Sequence, residues 1–323
     1  ACRDAGVPIT CRGGGSGTAG AALGRGVVMA FPRRGPMAGL QLYDGGEGVP
    51  FAEAEPGVLH DDLQAKLAQH GRFLPADPSS GSMCLIGGNV ATKASGPHAL
   101  RHGSIDRYLA SVEFVTARGE VIDTGRPETI PEALGAGIQR LARELRDRPM
   151  DVAALTRRRG RKIASGYNLF PFLAEDDPGR LLTGVLAGSV GTLGVVTKAR
   201  LRSEPRPKGV AALLLFFADL SVAGEAVQVL LGESPAAIEI MNAQTVGMVR
   251  QVRPRLAANV PAGEAHMLLA EFVGDSCHKG AMTAEQRVRA AGLHPARDAI
   301  VVTSEEEVQR LWRLRKGLLP VVR

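Results

Sequence analysis

The sequence predicts an α+β protein of more than one domain, on three observations. At 323 residues the chain is longer than one compact core usually organises. Its last third alternates short apolar runs with amphipathic stretches in two β-α-β units, the pattern of a ferredoxin-like layer. Its first part interleaves short strands with clusters of glycine, which place backbone where no Cβ can stand in the way.

Taken in order, Ala1–Gly6 reads as the tail of a helix, so the chain is expected to be cut short there, as at Arg323. Val7–Cys11 and Gly26–Phe31 read as short strands around the first glycine cluster. Leu59, Leu63 and Leu67 share one helix face, and Gly71 ends that helix. Tyr108–Ala117 and Glu120–Thr124 form a hairpin across Arg118-Gly119. Thr129-Ile130-Pro131-Glu132 reads as a capping box for a helix with the stripe Leu134, Ile138, Leu141 and Leu145. Leu193–Leu201 is a strand, and the polar, proline-rich Ser203–Lys208 is the expected domain boundary. Beyond it come strands at Ala211–Phe217, Ala237–Met241, His266–Val273 and Ala299–Val302, with helices at Ser221–Leu231 and Ser276–Gly292. Ser304–Glu307 is a second capping box, opening a helix through Arg315.

Composition narrows the function classes. The net charge is +6 and the pI about 9.4, but the only dense basic run is Arg157–Lys162, which reads as a solvated face. Aromatic residues are 4%, too few for the stacking platforms of single-stranded nucleic-acid binders, so no nucleic-acid partner is expected. Cys2, Cys11, Cys84 and Cys277 form no CxxC pair and no zinc spacing, and read as reduced thiols of a cytoplasmic protein without a bound metal. No apolar run approaches the ~18 residues of a membrane span.

Three motifs carry the chemistry. Arg12-Gly13-Gly14-Gly15-Ser16-Gly17 follows a strand, so bare backbone amides could converge on an anion such as a pyrophosphate. It is neither a Walker A loop nor a GxGxxG dinucleotide fingerprint, and alone it could be a flexible surface loop. Pro75–Ser80, Ile86–Thr92 and Ala94–Gly96 make a long irregular stretch of small residues. Gly188-Ser189-Val190-Gly191-Thr192-Leu193-Gly194 runs into a strand.

In this order and spacing, the three motifs resemble the FAD-binding domain of the vanillyl-alcohol oxidase/p-cresol methylhydroxylase superfamily. The likeness is to its D-lactate, glycolate and D-2-hydroxyglutarate dehydrogenase branch, with RGGG, PDPSS…IGG, ASGP and GSEGTLG-like segments. The Thr129–Arg146 helix resembles an insertion of long members that carry an iron–sulfur module. The resemblance implies a PCMH-type FAD-binding domain of two α+β subdomains over 1–205. An incomplete ferredoxin-like α+β cap domain would follow over 206–323. It implies FAD as cofactor, an iron–sulfur cluster only outside this chain, and oxidation of a D-2-hydroxy acid by hydride transfer to flavin N5. The rival is a non-catalytic, degenerate flavin-binding domain. The electron acceptor stays open, and the location is cytoplasmic, either free or at the membrane periphery.

Position by position, Arg12, Gly13, Gly14, Gly15, Ser16 and Gly17 would cradle the pyrophosphate. Pro78, Gly87, Gly88, Asn89 and Thr92 would line the cofactor, with Ser95 and Gly96 close by, and Gly194 and Val195 would offer backbone groups to the flavin ring. Ser16 stands where some relatives carry a histidine that tethers FAD, so non-covalent binding is implied. The sequence departs from the pattern at Val190, usually acidic, at Leu85, usually polar, and at Lys162–Tyr167. Beside that last segment the basic run gains a further reading, neutralising diphosphate charge. No HxGDGNxH-like segment occurs, so the catalytic base is expected past Arg323. Trp312-Arg313-Leu314-Arg315 resembles a WxLR motif whose arginine grips the substrate carboxylate. The other reading of Arg315 is a favourable charge near a helix C-terminus.

Overall fold

In the computed structural model, residues 1–44, 50–161, 163, 165–252 and 265–316 are described. The chain forms two compact units, Ala1–Gly96 with Gly103–Arg206, and Pro97–His102 with Pro207–Arg323.

Unit 1 opens with β1 (Ile9–Arg12) and β2 (Val27–Ala30), a parallel pair joined by the first glycine cluster. β3 (Leu40–Asp44), β4 (Pro50–Ala54), α1 (His60–Ala68), β5 (Arg72–Phe73) and α2 (Ile86–Ala91) follow. After α3 (Ala99–His102), which belongs to unit 2, come β6 (Leu109–Val115), β7 (Val121–Asp123), α4 (Glu132–Arg146), α5 (Pro149–Arg157), α6 (Pro178–Leu186), β8 (Val195–Arg202) and β9 (Glu204–Pro205). The main sheet is antiparallel, in the order β3-β4-β8-β6-β7. Its inward residues Ala52, Val112, Phe114, Ala199 and Leu201 meet Leu63 and Leu67 of α1 and Ile86 and Val90 of α2. A smaller core joins Ile138 and Ala142 of α4 to Leu181, Leu182 and Val185 of α6.

Unit 2 contains β10 (Val210–Phe217), α7 (Leu220–Leu231), β11 (Ala237–Met241), α8 (Ala243–Val252), β12 (His266–Val273), α9 (Cys277–Ala290), β13 (Ile300–Val302) and α10 (Glu305–Lys316). The sheet order β11-β12-β10-β13, all antiparallel, is that of a ferredoxin-like layer, with α8 and α10 added. The added helices explain why β10 is a continuous apolar run. Leu213, Leu215 and Phe217 face α7 and α9, while Leu214 and Phe216 pack with Val246 of α8 and Val308 and Leu311 of α10. Ser304 caps α10 by its side chain: its hydroxyl accepts from the Glu307 N–H at 3.2 Å and donates to the Glu307 carboxylate at 2.9 Å.

One polar cluster interrupts that second core. Glu271 of β12 is 5% exposed and faces two partners. His98, just before α3, brings Nε2 to 2.9 Å from Glu271 Oε1, and Trp312 of α10 donates its indole N–H to Oε2. The two rings also touch, with centroids 5.0 Å apart.

Four sequence expectations need correction. Residues 2–6 are turns, closed by Gly6 at φ +63°, not a helix. Thr129 does not cap α4; it ends a short 3-10 turn, and its hydroxyl bonds both the N–H and the carbonyl of Asp123. Pro131 precedes the helix and no side chain caps it. In the α4 stripe Leu141 is 51% exposed while Ala142 is fully buried, because Gly135, Ile138 and Ala142 form the face against α6. Finally, the irregular stretch after Pro75 contains α2, in spite of Gly87 and Gly88. Among the described residues no helix is long and apolar enough to cross a membrane.

Candidate cofactor site

All three glycine-rich segments of unit 1 converge on α2. Its N-terminus is capped by backbone: the N–H groups of Ile86 and Gly87 donate to the carbonyls of Val58 and Pro56. That is how an apolar Leu85 can stand at the N-cap, where a polar residue would usually serve. The first segment lies on the second. A Cβ on Gly14 would come 1.9 Å from the Met83 carbonyl oxygen, and one on Gly13 would touch Leu85 and Gly88. The third segment docks on the other end of α2, where the N–H groups of Gly188 and Val190 donate to Val90 and Ala91. Tyr167 joins it through Thr192, hydroxyl to hydroxyl at 2.8 Å.

Between these segments lies a cavity of about 370 Å³, within the range of small-molecule sites. Gly13, Gly14, Gly15, Ser16 and Gly17 line it, with Pro78, Gly87, Gly88, Asn89, Thr92, Gly194 and Val195. The Asn89 amide is steadied from behind by the buried His60 ring, 3.2 Å from its nitrogen. Three expected residues are not among its lining. Arg12 lies beside the loop with its guanidinium over Gly15, where a Cβ would come 2.6 Å from Nη2. Ser95 bridges to Ser104, and Gly96 presses on Asp77, whose carbonyl oxygen would be 2.0 Å from a Cβ. Gly96 is therefore glycine for packing. Arg315 is in unit 2, 3.0 Å from Glu239 Oε1.

The sequence did not point to Cys11, Cys84 or Lys93, which also line the cavity, as does Gly188 of the third motif. Burial raises the pKa of both thiols, which keeps them neutral. Val190 lines it as well, at φ +54°, a conformation disfavoured by roughly 1–2 kcal/mol for an L-residue. Lys162 and Ala164, in the segment before Tyr167, lie outside the described residues.

Two family models match the chain: "FAD binding domain" over residues 1–125, and "FAD linked oxidases, C-terminal domain" over residues 206–323. The chain carries both domains of the FAD-linked oxidases. It is 27% identical to the glycolate oxidase subunit GlcD of Escherichia coli, over 99% of this chain and 54% of that protein. It is 26% identical to a D-2-hydroxyglutarate dehydrogenase of Pseudomonas putida, over 97% of this chain and 32% of that protein. With a D-lactate dehydrogenase of Archaeoglobus fulgidus the identity is 27%, over 96% and 57%. The chain thus spans roughly a third to three fifths of these relatives. Among solved structures, an alkyldihydroxyacetonephosphate synthase shares the fold, with a TM-score of 0.64 at 18% identity, covering 100% of this chain and 55% of that one.

The cavity suits a flavin dinucleotide. Bare glycine backbone surrounds it, a guanidinium flanks it, and no carboxylate lines it among the described residues. Gly88 offers a clean test, because a Cβ there meets nothing within 4 Å and would point into open space. Gly88→Ala is expected to stabilise the flavin-free protein by about 0.5–1 kcal/mol, since alanine replaces glycine inside a helix. The same change should weaken FAD binding by about tenfold, as the methyl stands between backbone and ligand. Thermal melts of flavin-stripped protein and a flavin titration check the two halves. Unchanged affinity would mean that Gly88 does not face the cofactor.

Proposed function

We propose that the protein oxidises a D-2-hydroxy acid, with FAD held non-covalently in the cavity and accepting hydride at N5. The observation that carries this reading is the glycine-walled cavity, in a chain whose relatives include enzymes named for glycolate, D-lactate and D-2-hydroxyglutarate. In this reading the amides of Gly13–Gly17 hold the diphosphate, helped by Arg12. Gly87, Gly88, Asn89 and Thr92 line the cofactor's length, and Gly194 and Val195 present backbone groups to the ring. Arg315 would bind the substrate carboxylate, exchanging Glu239 for it. The location we infer is cytoplasmic.

The second reading, a flavin-binding domain without this chemistry, draws on that same ion pair, because the Arg315 guanidinium already has a carboxylate partner. One anaerobic experiment on the full-length protein separates the two. D-lactate, D-2-hydroxyglutarate and glycolate are mixed in turn with the FAD-loaded protein, and at least one is expected to bleach the flavin band. Acid denaturation should then release the yellow colour into the supernatant. No bleaching by any of the three would sink the dehydrogenase reading and leave the second.

A further inference from the structure

Lys93 is the only charged side chain among the described residues that line the cavity. It is half-buried, and its ammonium group has no hydrogen-bond or ion-pair partner among the described residues. A lysine that lines a cavity whose other described lining groups are neutral can meet an anionic ligand there with a counter-charge.

Its backbone makes the placement more telling. The N–H of Lys93 donates to Val90 and that of Ala94 to Asn89, the paired bonds of a Schellman ending to α2. The residue at this position takes a left-handed conformation, here φ +51°, and glycine is its usual occupant. A lysine held in a glycine's conformation at a cavity wall is the kind of local strain that accompanies function. The third glycine-rich segment makes room for it. Gly188, at φ +96°, lies so close that a Cβ there would be 3.3 Å from Lys93 Cβ. Two short segments, the end of α2 and the turn at Gly188, therefore fix where the lysine stem leaves the backbone. Arg12 stands on a different segment, over Gly15 of the first glycine cluster, so the two cations have separate stations.

We propose that Lys93 pairs with a negative charge on the bound flavin nucleotide, and so sets the strength or the redox preference with which the cavity holds it. That charge has two sources in FAD: the diphosphate, present in every redox state, and the ring, which gains negative charge on reduction.

The test uses Lys93→Gln, Lys93→Gly and Lys93→Arg in the full-length protein. Lys93→Gly removes the charge while favouring the left-handed backbone, so it guards against misfolding of the glutamine variant. Flavin-stripped samples are titrated with FAD and with riboflavin, and the midpoint potential of the FAD-loaded protein is measured. Both charge-removing variants are expected to lose about tenfold, either in FAD affinity or in preference for reduced over oxidised FAD. The second loss is a fall of about 30 mV for a two-electron couple. Weaker FAD with unchanged riboflavin assigns the charge to the diphosphate, and a lower potential assigns it to the ring. Lys93→Arg should keep both quantities near the parent values. The proposal is overturned if Lys93→Gln and Lys93→Gly retain both affinity and potential. It is also overturned if Lys93→Arg loses as much as they do, since shape rather than charge would then matter. A lysine that only favours the C-terminus of α2 would change the melting temperature and neither of these readouts. None of the measurements needs a substrate, so the outcome stands apart from the hydroxy-acid reading.

Discussion

Glu271→Ala is expected to cost about 3 kcal/mol of stability in unit 2. The carboxylate sits within β12, on a residue 5% exposed, and serves two groups at once. With alanine there, the indole N–H of Trp312, itself only 3% exposed, loses the carboxylate that accepts from it. His98 Nε2 loses the oxygen 2.9 Å away. Glu271→Gln is expected to cost less, since an amide oxygen can still accept from the indole. Trp312 is the chain's only tryptophan, so its fluorescence during urea unfolding reports on this cluster directly. Superimposable transitions for parent and both variants would show that the cluster contributes nothing.

The other large effect is expected at Gly14. Its missing Cβ would come 1.9 Å from the Met83 carbonyl oxygen and 2.8 Å from the carbonyl carbon, and both atoms are backbone. No rotamer change relieves such a contact, so Gly14→Ala must push the first glycine cluster off residues 83–84. We expect about 3 kcal/mol of destabilisation, the upper range for overpacking, together with loss of bound flavin. This contrasts with Gly88→Ala, where stability and affinity should move in opposite directions. Purified Gly14→Ala protein that kept its yellow colour and melting temperature would refute the close contact.

Parts of this architecture were legible because they follow from local chemistry. The alternation of apolar runs marked β10 to β13, and Ser304 with Glu307 announced α10. The clustered glycines were visible as such, and the convergence of their segments on one cavity followed from their resemblance to a known order. What could not be read depends on partners distant in sequence. Leu141 and Ala142 compete for one helix face, and only the closeness of α6 makes the smaller side chain the buried one. Thr129 has the spacing of a cap, yet Asp123 claims its hydroxyl. Glycine at 87 and 88 argues against a helix, and α2 forms because carbonyls at Pro56 and Val58 receive its first N–H groups. Lys93 carried no pattern at all among small residues, and its importance comes from what the cavity wall lacks. For the same reason Gly96 looked like a ligand contact, although its bareness serves the Asp77 carbonyl.

The excursion of Pro97–His102 into unit 2 bears on how the chain is made. A ribosome delivers domains from the N-terminus, and each tends to fold as it emerges. His98 leaves the tunnel long before Glu271 and Trp312, so its partners in unit 2 do not yet exist when it emerges. Helix α10, made much later, supplies the indole that completes its surroundings. Residues 207–323 produced as a separate polypeptide would lack that imidazole, and simple dissection at Arg206 therefore does not yield two self-sufficient modules.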